Sequence, residues 1–463
     1  MTTCLGHVTV DGKTATLPAA GHRGAATPWA GLRLIVRMPL AERTNSWCPS
    51  DRAITGPRIL GNHSGNPFEL MTKSRRIRNI NPDGDDGWDI YYRGRKRAAA
   101  GEDVLELTIG DHDFRTPGTI IDVMARSARQ GNTGYSPVAG SAALRRAIAA
   151  RVEARTGIST GPENVLVTAG GQAALLACHL AVLDAGDTGL YVDPYYATFP
   201  GTIRATGANA RPVPVCARDN FLPSVDAIAG QIDESVRSLL LNSPNNPTGT
   251  VYDRESLKEI GMLCRNHGLW LISDEVYETL NWSGEHVSPR AIPNLAPLSL
   301  VVGSLSKSFA MTGFRCGWVI GPEDMIASMA ELATVSTYGV PGFIQDAALH
   351  ALTQGQAIED RLARLYRRRA ELAKSCLSGT NAIRLIPPLG GMYVFLDIRT
   401  TGLTGTRFAE RLLAERGIAV MPGESFGGAG AGHIRVALTA GDPDLRRALD
   451  QLATFAEELT GPV

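Results

Sequence analysis

"PLSLVVGSLSKSFAMTGFRCGW", residues 297–318, opens with an apolar run of strand length and then changes character. Leu298 to Gly303 have the composition of a buried strand. Directly after them, Ser304, Ser306 and Ser308 surround Lys307, and Arg315 follows eight residues on. The lysine therefore stands where a strand ends and a loop begins. In open α/β sheets ligands bind there, in the crevice outside the strand carboxyl ends. The next apolar run, "CGWVIG" (316–321), leaves no room for a crossover helix and is expected to run antiparallel to its predecessor.

Outward from this stretch the chain alternates. "NVLVTAG", "TGLYVDP", "ARPVPV", "RSLLLNSP" and "LWLISDE" are further strand candidates, seven with the two above. Segments such as "SAALRRAIAARVEARTG", "GQAALLACHLAVLDAG" and "RESLKEIGMLCRNHG" carry helical periodicity between them, the first closed by Gly157. That alternation predicts an α/β fold, a mostly parallel sheet with helices on both faces. After residue 345 long helices and short strands take over, as in "IEDRLARLYRRRAELAKSCL", "GGMYVFLDI" and "GHIRVALTA". A smaller α+β domain is expected there. The boundaries are set at 71–115 for a segment joining the small domain, 116–345 for the large domain and 346–463 for the small one. Residues 1–70 are broken by Gly, Pro, Asn and Ser, apart from a short strand signal in "HVTVDGKTATL". They are expected to be a poorly structured extension, with Met71 as an alternative start.

Composition narrows the function. In 463 residues, 46 Lys and Arg balance 46 Asp and Glu, which argues against a nucleic-acid binder. Seven scattered cysteines without a C-x-x-C pair fit free thiols in a reducing, cytoplasmic setting. No run approaches the roughly 18 apolar residues of a membrane span.

Several polar residues fall at strand ends. Asp274 closes "LISD", where burial of a carboxylate is costly without a partner, although a helix N-cap is a plain alternative. Tyr277 follows three residues on. Asn246 lies in "NSPNNPTG", and Gly170, Gly171 and Gln172 separate a strand from a helix whose bare amides suit an anion. Hydroxyls at Ser304 and Ser306 and the guanidinium of Arg315 fit the same phosphate. A carboxylate for a ring cation, an amide and a phenol for a ring oxygen, and a lysine for a Schiff base complete the demands of pyridoxal phosphate.

Across residues 75–460 the chain resembles the class I/II aminotransferases, fold-type I pyridoxal-phosphate enzymes with a seven-stranded sheet. The resemblance is carried by "LTIGDHDFRTP", "GYSPVAGSAALRRAI", "VTAGGQAAL", "VDPYYATF", "NSPNNPTG", "SDEVY", "SLSKSFAMTGFRCGW", "GGMYVF" and "VMPGESFG…GHIRVAL". It implies that Lys307 binds the cofactor aldehyde and moves the substrate proton. Asp274 would pair with the ring nitrogen, Asn246 and Tyr277 with the ring oxygen, and Tyr196 with the ring face. Gly171, Gln172, Ser304, Ser306 and Arg315 would hold the phosphate, joined by Tyr135 from the neighbouring subunit of a homodimer. Arg435, with the backbone of Gly110, would grip the substrate α-carboxylate. Cis bonds are implied before Pro194 and Pro247. One departure stands out: His112 replaces the proline usual in Gly-x-Pro-Asp, and is expected to be an exposed loop histidine, with a role in substrate specificity at the pocket rim as the alternative.

The implied reaction moves an amino group from an L-amino acid to a 2-oxo acid, 2-oxoglutarate or pyruvate, with ping-pong kinetics. A β-eliminating C–S lyase or a cyclopropane-forming synthase on the same fold is the alternative. A ligand-sensing regulator would need a DNA-binding helix pair before residue 70, and none is legible.

Overall fold

The computed structural model describes residues 7–10, 13–16, 73–82 and 87–461. The expectations for the rest of 1–70, including the start at Met71, lie outside the described residues. Within 1–70, strands β1 (His7–Val10) and β2 (Lys13–Thr16) pair antiparallel as a hairpin.

The remaining strands follow in chain order: β3 (Leu105–Leu107), β4 (Val165–Thr168), β5 (Thr188–Asp193) and β6 (Asn209–Pro214). Next come β7 (Val236–Asn242), β8 (Trp270–Asp274), β9 (Ser299–Ser304) and β10 (Gly317–Ile320). The last are β11 (Arg384–Ile386), β12 (Tyr393–Asp397), β13 (Ile418–Pro422) and β14 (His433–Ala437).

Seven strands form one sheet in the order β4-β10-β9-β8-β7-β5-β6. Strands β5 to β9 pair parallel, whereas β10 is antiparallel to both β9 and β4. The antiparallel strand follows from chain length, since only a one-turn helix and a 3-10 turn separate it from β9. At the far edge β6 carries Pro212 and Pro214, which cannot donate to a ladder and are confined to edge positions. Next to β10, Gly303 stands opposite Trp318, and a Cβ there would overlap the indole.

The helix Ala142–Thr156 shows how local sequence sets element ends. The Ser141 hydroxyl accepts from Leu144 N at 3.3 Å, and Gly157 closes the helix at φ 70°, a left-handed conformation that costs glycine nothing. Helices Gly171–Val182, Arg254–Asn266 and Glu323–Val335 bury apolar faces in the cores flanking the large sheet.

A second sheet of five strands runs β11-β12-β14-β13-β3. Strand β3, from well before the large sheet, joins it parallel to β13. Its core packs Leu107, Val394, Val420 and Val436 against helices Gln356–Leu377 and Asp442–Thr460. Among the described residues no helix is long and apolar enough to cross a membrane.

Candidate active site

Strand register brings the chemistry to one place. Asn242 at the end of β7 pairs with Asp274 at the end of β8, and Asp274 with Val302 of β9. Ser304, ending β9, faces Gly317 of β10, which faces Thr168 at the end of β4. The loops leaving these strands surround a cavity of about 390 Å³. Gly110, Gly171, Gln172, Tyr196, Asn246, Asp274, Tyr277, Ser304, Ser306, Lys307 and Arg315 all line it. The cis peptides Asp193–Pro194 and Asn246–Pro247 are present, with a third at Ser243–Pro244.

Lys307 lies in the one-turn helix Leu305–Ser308 and donates from Nζ to the Gly110 carbonyl. Burial lowers its pKa from the ordinary 10.5, as do the charges of Arg435 and Arg315. Asp274 is 4% exposed, and its Oδ1 accepts from the Val276 amide at 3.2 Å. It caps no regular α-helix. Burial pushes its carboxyl up to about 7, so the ionised form calls for a cation. Behind it, the Asn242 side chain donates to the Asp274 carbonyl (3.0 Å) and accepts from Asn246 N (2.9 Å). Tyr277 is buried, 3.4 Å from the Tyr393 hydroxyl, and burial next to that phenol raises its pKa.

The other end of the cavity is built for an anion. Gly170 adopts φ 82° and opens the helix Gly171–Val182, whose first amides have no intrahelical acceptor. A Cβ on Gly317 would lie 2.7–2.9 Å from backbone atoms of Gly303, Gly170 and Gly171, so only glycine lets β10 approach this turn. Ser304 Oγ sits 3.0 Å from Ser306 Oγ and accepts from Ser306 N at 3.1 Å. Arg315, itself left-handed at φ 52°, donates to the Thr312 carbonyl at 2.8 Å and the Ala169 carbonyl at 3.4 Å.

Arg435 is fully buried in β14, between the rings of Tyr393 (4.2 Å) and Phe426 (4.4 Å). Nη1 donates to Asn246 Oδ1 at 2.9 Å and Nη2 to the Thr108 carbonyl, while Nε has no partner among the described residues. Arg435 stands behind Asn246 and Tyr393 rather than lining the cavity. Tyr135 is also away from it, 92% exposed with its ring 5.1 Å from Tyr338.

His112 corrects the expectation of an exposed loop histidine. Its ring is half-buried, with Nδ1 2.7 Å from the Tyr366 hydroxyl and Nε2 enclosed. Burial and the charge of Lys307 push its pKa down to about 4, so it stays neutral at ordinary pH. Next to it, Asp113 makes a two-pronged ion pair with Arg369 at 2.8 and 2.6 Å.

Residue reasoning missed Tyr393, Asn242, Asp111, Thr312, Trp88, Tyr91 and Tyr92, which also line the cavity. Tyr393 lies in the quoted "GGMYVF", Asn242 opens "NSPNNPTG", Asp111 lies in "LTIGDHDFRTP" and Thr312 in "SLSKSFAMTGFRCGW", so four were within reach. The aromatic trio at the start of helix Asp89–Ala99 carried no signal. Among the described residues no group of His, Cys, Asp and Glu is arranged to hold a metal.

An amine, a partner-seeking buried carboxylate, a phenol and an anion cradle around one cavity fit pyridoxal phosphate. The class defined by fold and cavity is a pyridoxal-phosphate-dependent aminotransferase of fold type I. The model of the aminotransferase class I and II family matches residues 102–452, and the chain belongs to that family. It is 42% identical to the arginine–pyruvate transaminase AruH of Pseudomonas aeruginosa over 84% of this chain and 100% of that one. To the aspartate/prephenate aminotransferase of Thermus thermophilus it is 36% identical, over 82% and 97% of the two chains. The solved structure of Thermus thermophilus aspartate aminotransferase with maleate superposes with a TM-score of 0.79 at 34% identity, covering 83% of this chain and 100% of that one.

Proposed function

We propose that Lys307 is the covalent and proton-carrying residue with which this aminotransferase moves the amino group of an L-amino acid to a 2-oxo acid. The observation that carries this is the placement of the Lys307 amine, the Asp274 carboxylate and the Gly171–Ser304–Arg315 cradle around a single cavity. Bound pyridoxal phosphate supplies an aldehyde that condenses with amines and a conjugated ring that draws electrons from the amine's Cα.

The chain's own groups do the rest. Lys307 holds the aldehyde end, and its lowered pKa leaves more of the amine in the neutral form that takes a proton from Cα. Asp274 keeps a ring cation paired in a dry setting. Tyr277 and Asn246 would donate to the ring oxygen, and Tyr196 would cover a ring face. The Gly171 and Gln172 amides, Ser304, Ser306 and Arg315 hold the phosphate. Arg435 takes the substrate α-carboxylate, beside the Gly110 backbone. Its present hold on Asn246 and Thr108 then yields to a stronger anionic partner.

Exposed Tyr135 and Tyr338 support a homodimer in which Tyr135 reaches the partner's phosphate site. The described cysteines 178, 216, 264, 316 and 376 are free, which supports a cytoplasmic setting.

The relatives' names differ in donor, arginine for one and aspartate for another, while AruH's names pyruvate as a partner substrate. Pyruvate is accordingly the first acceptor to test. A single-turnover experiment tests the reading. Holoenzyme given an amino donor alone is expected to release one equivalent of 2-oxo acid per site and then stop until an acceptor is added. Continuous release of ammonia with a 2-oxo acid would instead mark a lyase.

A further inference from the structure

The aminotransferase reading leaves the donor's side chain open, and the cavity walls bear on it. Among the described residues lining the cavity, Lys307 and Arg315 are the only cations. Both are committed to the cofactor, and Arg435 behind the wall to the α-carboxylate. No described cation of the cavity wall remains for the distal carboxylate of an acidic amino acid. Gln172, at the helix start, adds no charge, and its Oε1 already accepts from Thr198 at 2.9 Å.

The lining left over is aromatic and anionic. Trp88 and Tyr91 meet edge to face at 6.0 Å, and Tyr91 and Tyr92 lie 5.4 Å apart. The remaining charge is the carboxylate of Asp111, an exposed residue. Its two hydrogen bonds among the described residues, from Thr312 Oγ1 at 2.8 Å and His112 N at 3.2 Å, both fall on Oδ1. Oδ2 is left for a ligand. Aromatic rings and a carboxylate lining one cavity suit a guanidinium or ammonium, which gains from both cation–π attraction and a charge-assisted hydrogen bond. A dicarboxylic donor would meet Asp111 as a like charge.

We propose that the amino donor carries a cationic side chain, and that Asp111 with the Trp88–Tyr91–Tyr92 wall selects it over dicarboxylic donors. The proposal rests on the aminotransferase reading.

The test is the half-reaction of the holoenzyme without acceptor, with arginine, lysine, norleucine, phenylalanine, aspartate and glutamate compared by the second-order rate constant for single-turnover release of their 2-oxo acids. Arginine or lysine is expected to exceed norleucine, and norleucine to exceed both acidic donors. In Asp111→Asn the ratio of arginine to norleucine is expected to fall about tenfold, the loss of one charge-assisted contact. Asp111 also raises the pKa of Lys307, an effect common to all donors that the ratio removes. Aspartate or glutamate exceeding norleucine, or phenylalanine exceeding both cationic donors, overturns the proposal even if the variant fails to fold. An unchanged ratio in a folded Asp111→Asn overturns the role of Asp111. Reaction of none of the six overturns the cationic-donor proposal, whereas the aminotransferase reading falls only if no L-amino acid releases its 2-oxo acid, a distinguishable failure.

Discussion

Replacing Asp274 by asparagine is expected to stabilise the cofactor-free protein in alkaline solution, although it removes a residue central to the site. The side chain is 4% exposed, with the Val276 amide as its hydrogen-bond donor. Burial lifts its pKa from 3.8 to about 7. The folded chain thus holds the proton more tightly than the unfolded one. Below the unfolded value the group costs folding nothing. The penalty grows as pH rises from 3.8 and is complete above about 7.

At about 1.4 kcal/mol per pKa unit, the full penalty is about 4 kcal/mol, falling to about 1 kcal/mol at a pH near 4.5. Asparagine keeps an acceptor for the Val276 amide and carries no charge. Urea denaturation of cofactor-free wild type and variant, at about pH 8.5 and about pH 4.5 and one protein concentration, measures the difference. The variant is expected to be more stable by up to about 4 kcal/mol at the higher pH, with most of that gain gone at the lower. With cofactor present the order is expected to reverse, because the ring cation then pairs with the wild-type carboxylate. Equal stability at about pH 8.5 in the cofactor-free state, or a less stable variant, would refute the reasoning.

Other residues give sharper local tests. Gly317→Ala places a methyl against the backbone of Gly303, Gly170 and Gly171, and is expected to weaken cofactor binding at least tenfold by equilibrium titration; unchanged affinity would contradict the close approach. Arg369→Ala leaves Asp113 without its two-pronged partner and the Leu438 carbonyl without a donor, a loss of about 3 kcal/mol by denaturant unfolding. Arg435→Gln is expected to lower kcat/KM for every donor by about a hundredfold or more, since one amide replaces a two-pronged cation; a donor-dependent loss would assign it to the side chain instead. In the cofactor-free protein, an amine-directed reagent is expected to modify Lys307 with a pH midpoint below 10.5, and a midpoint at or above that value would contradict the effect of its burial.

How far the sequence carried the site depended on where each residue's information lies. Lys307, Asp274, Asn246 and Gly171 sit directly after apolar runs, and a residue at a strand's carboxyl end is placed by the sheet itself. The direction of β10 was legible for a similar reason, because the twelve residues between Ser304 and Gly317 are at the lower limit for a crossover and hold only a one-turn helix and a 3-10 turn. Arg435 was legible as a buried arginine, but its burial behind Tyr393 and its hold on Asn246 depend on how β14 meets the large sheet's loops. His112 misled because a loop position suggested exposure, whereas Tyr366 from a helix 254 residues away covers it. Trp88, Tyr91 and Tyr92 belong to a short amphipathic helix whose sequence does not say which cavity it borders.

The central claim, that Lys307 holds the cofactor and is released by the amino donor, is tested most directly by borohydride reduction of the holoenzyme followed by peptide mass analysis. The account predicts that the peptide containing Lys307 gains the mass of the reduced cofactor. It also predicts that donor added before borohydride, without acceptor, abolishes the labelling, and that Lys307→Ala shows none. Labelling at another lysine, or labelling of Lys307 that no amino donor diminishes, would contradict it.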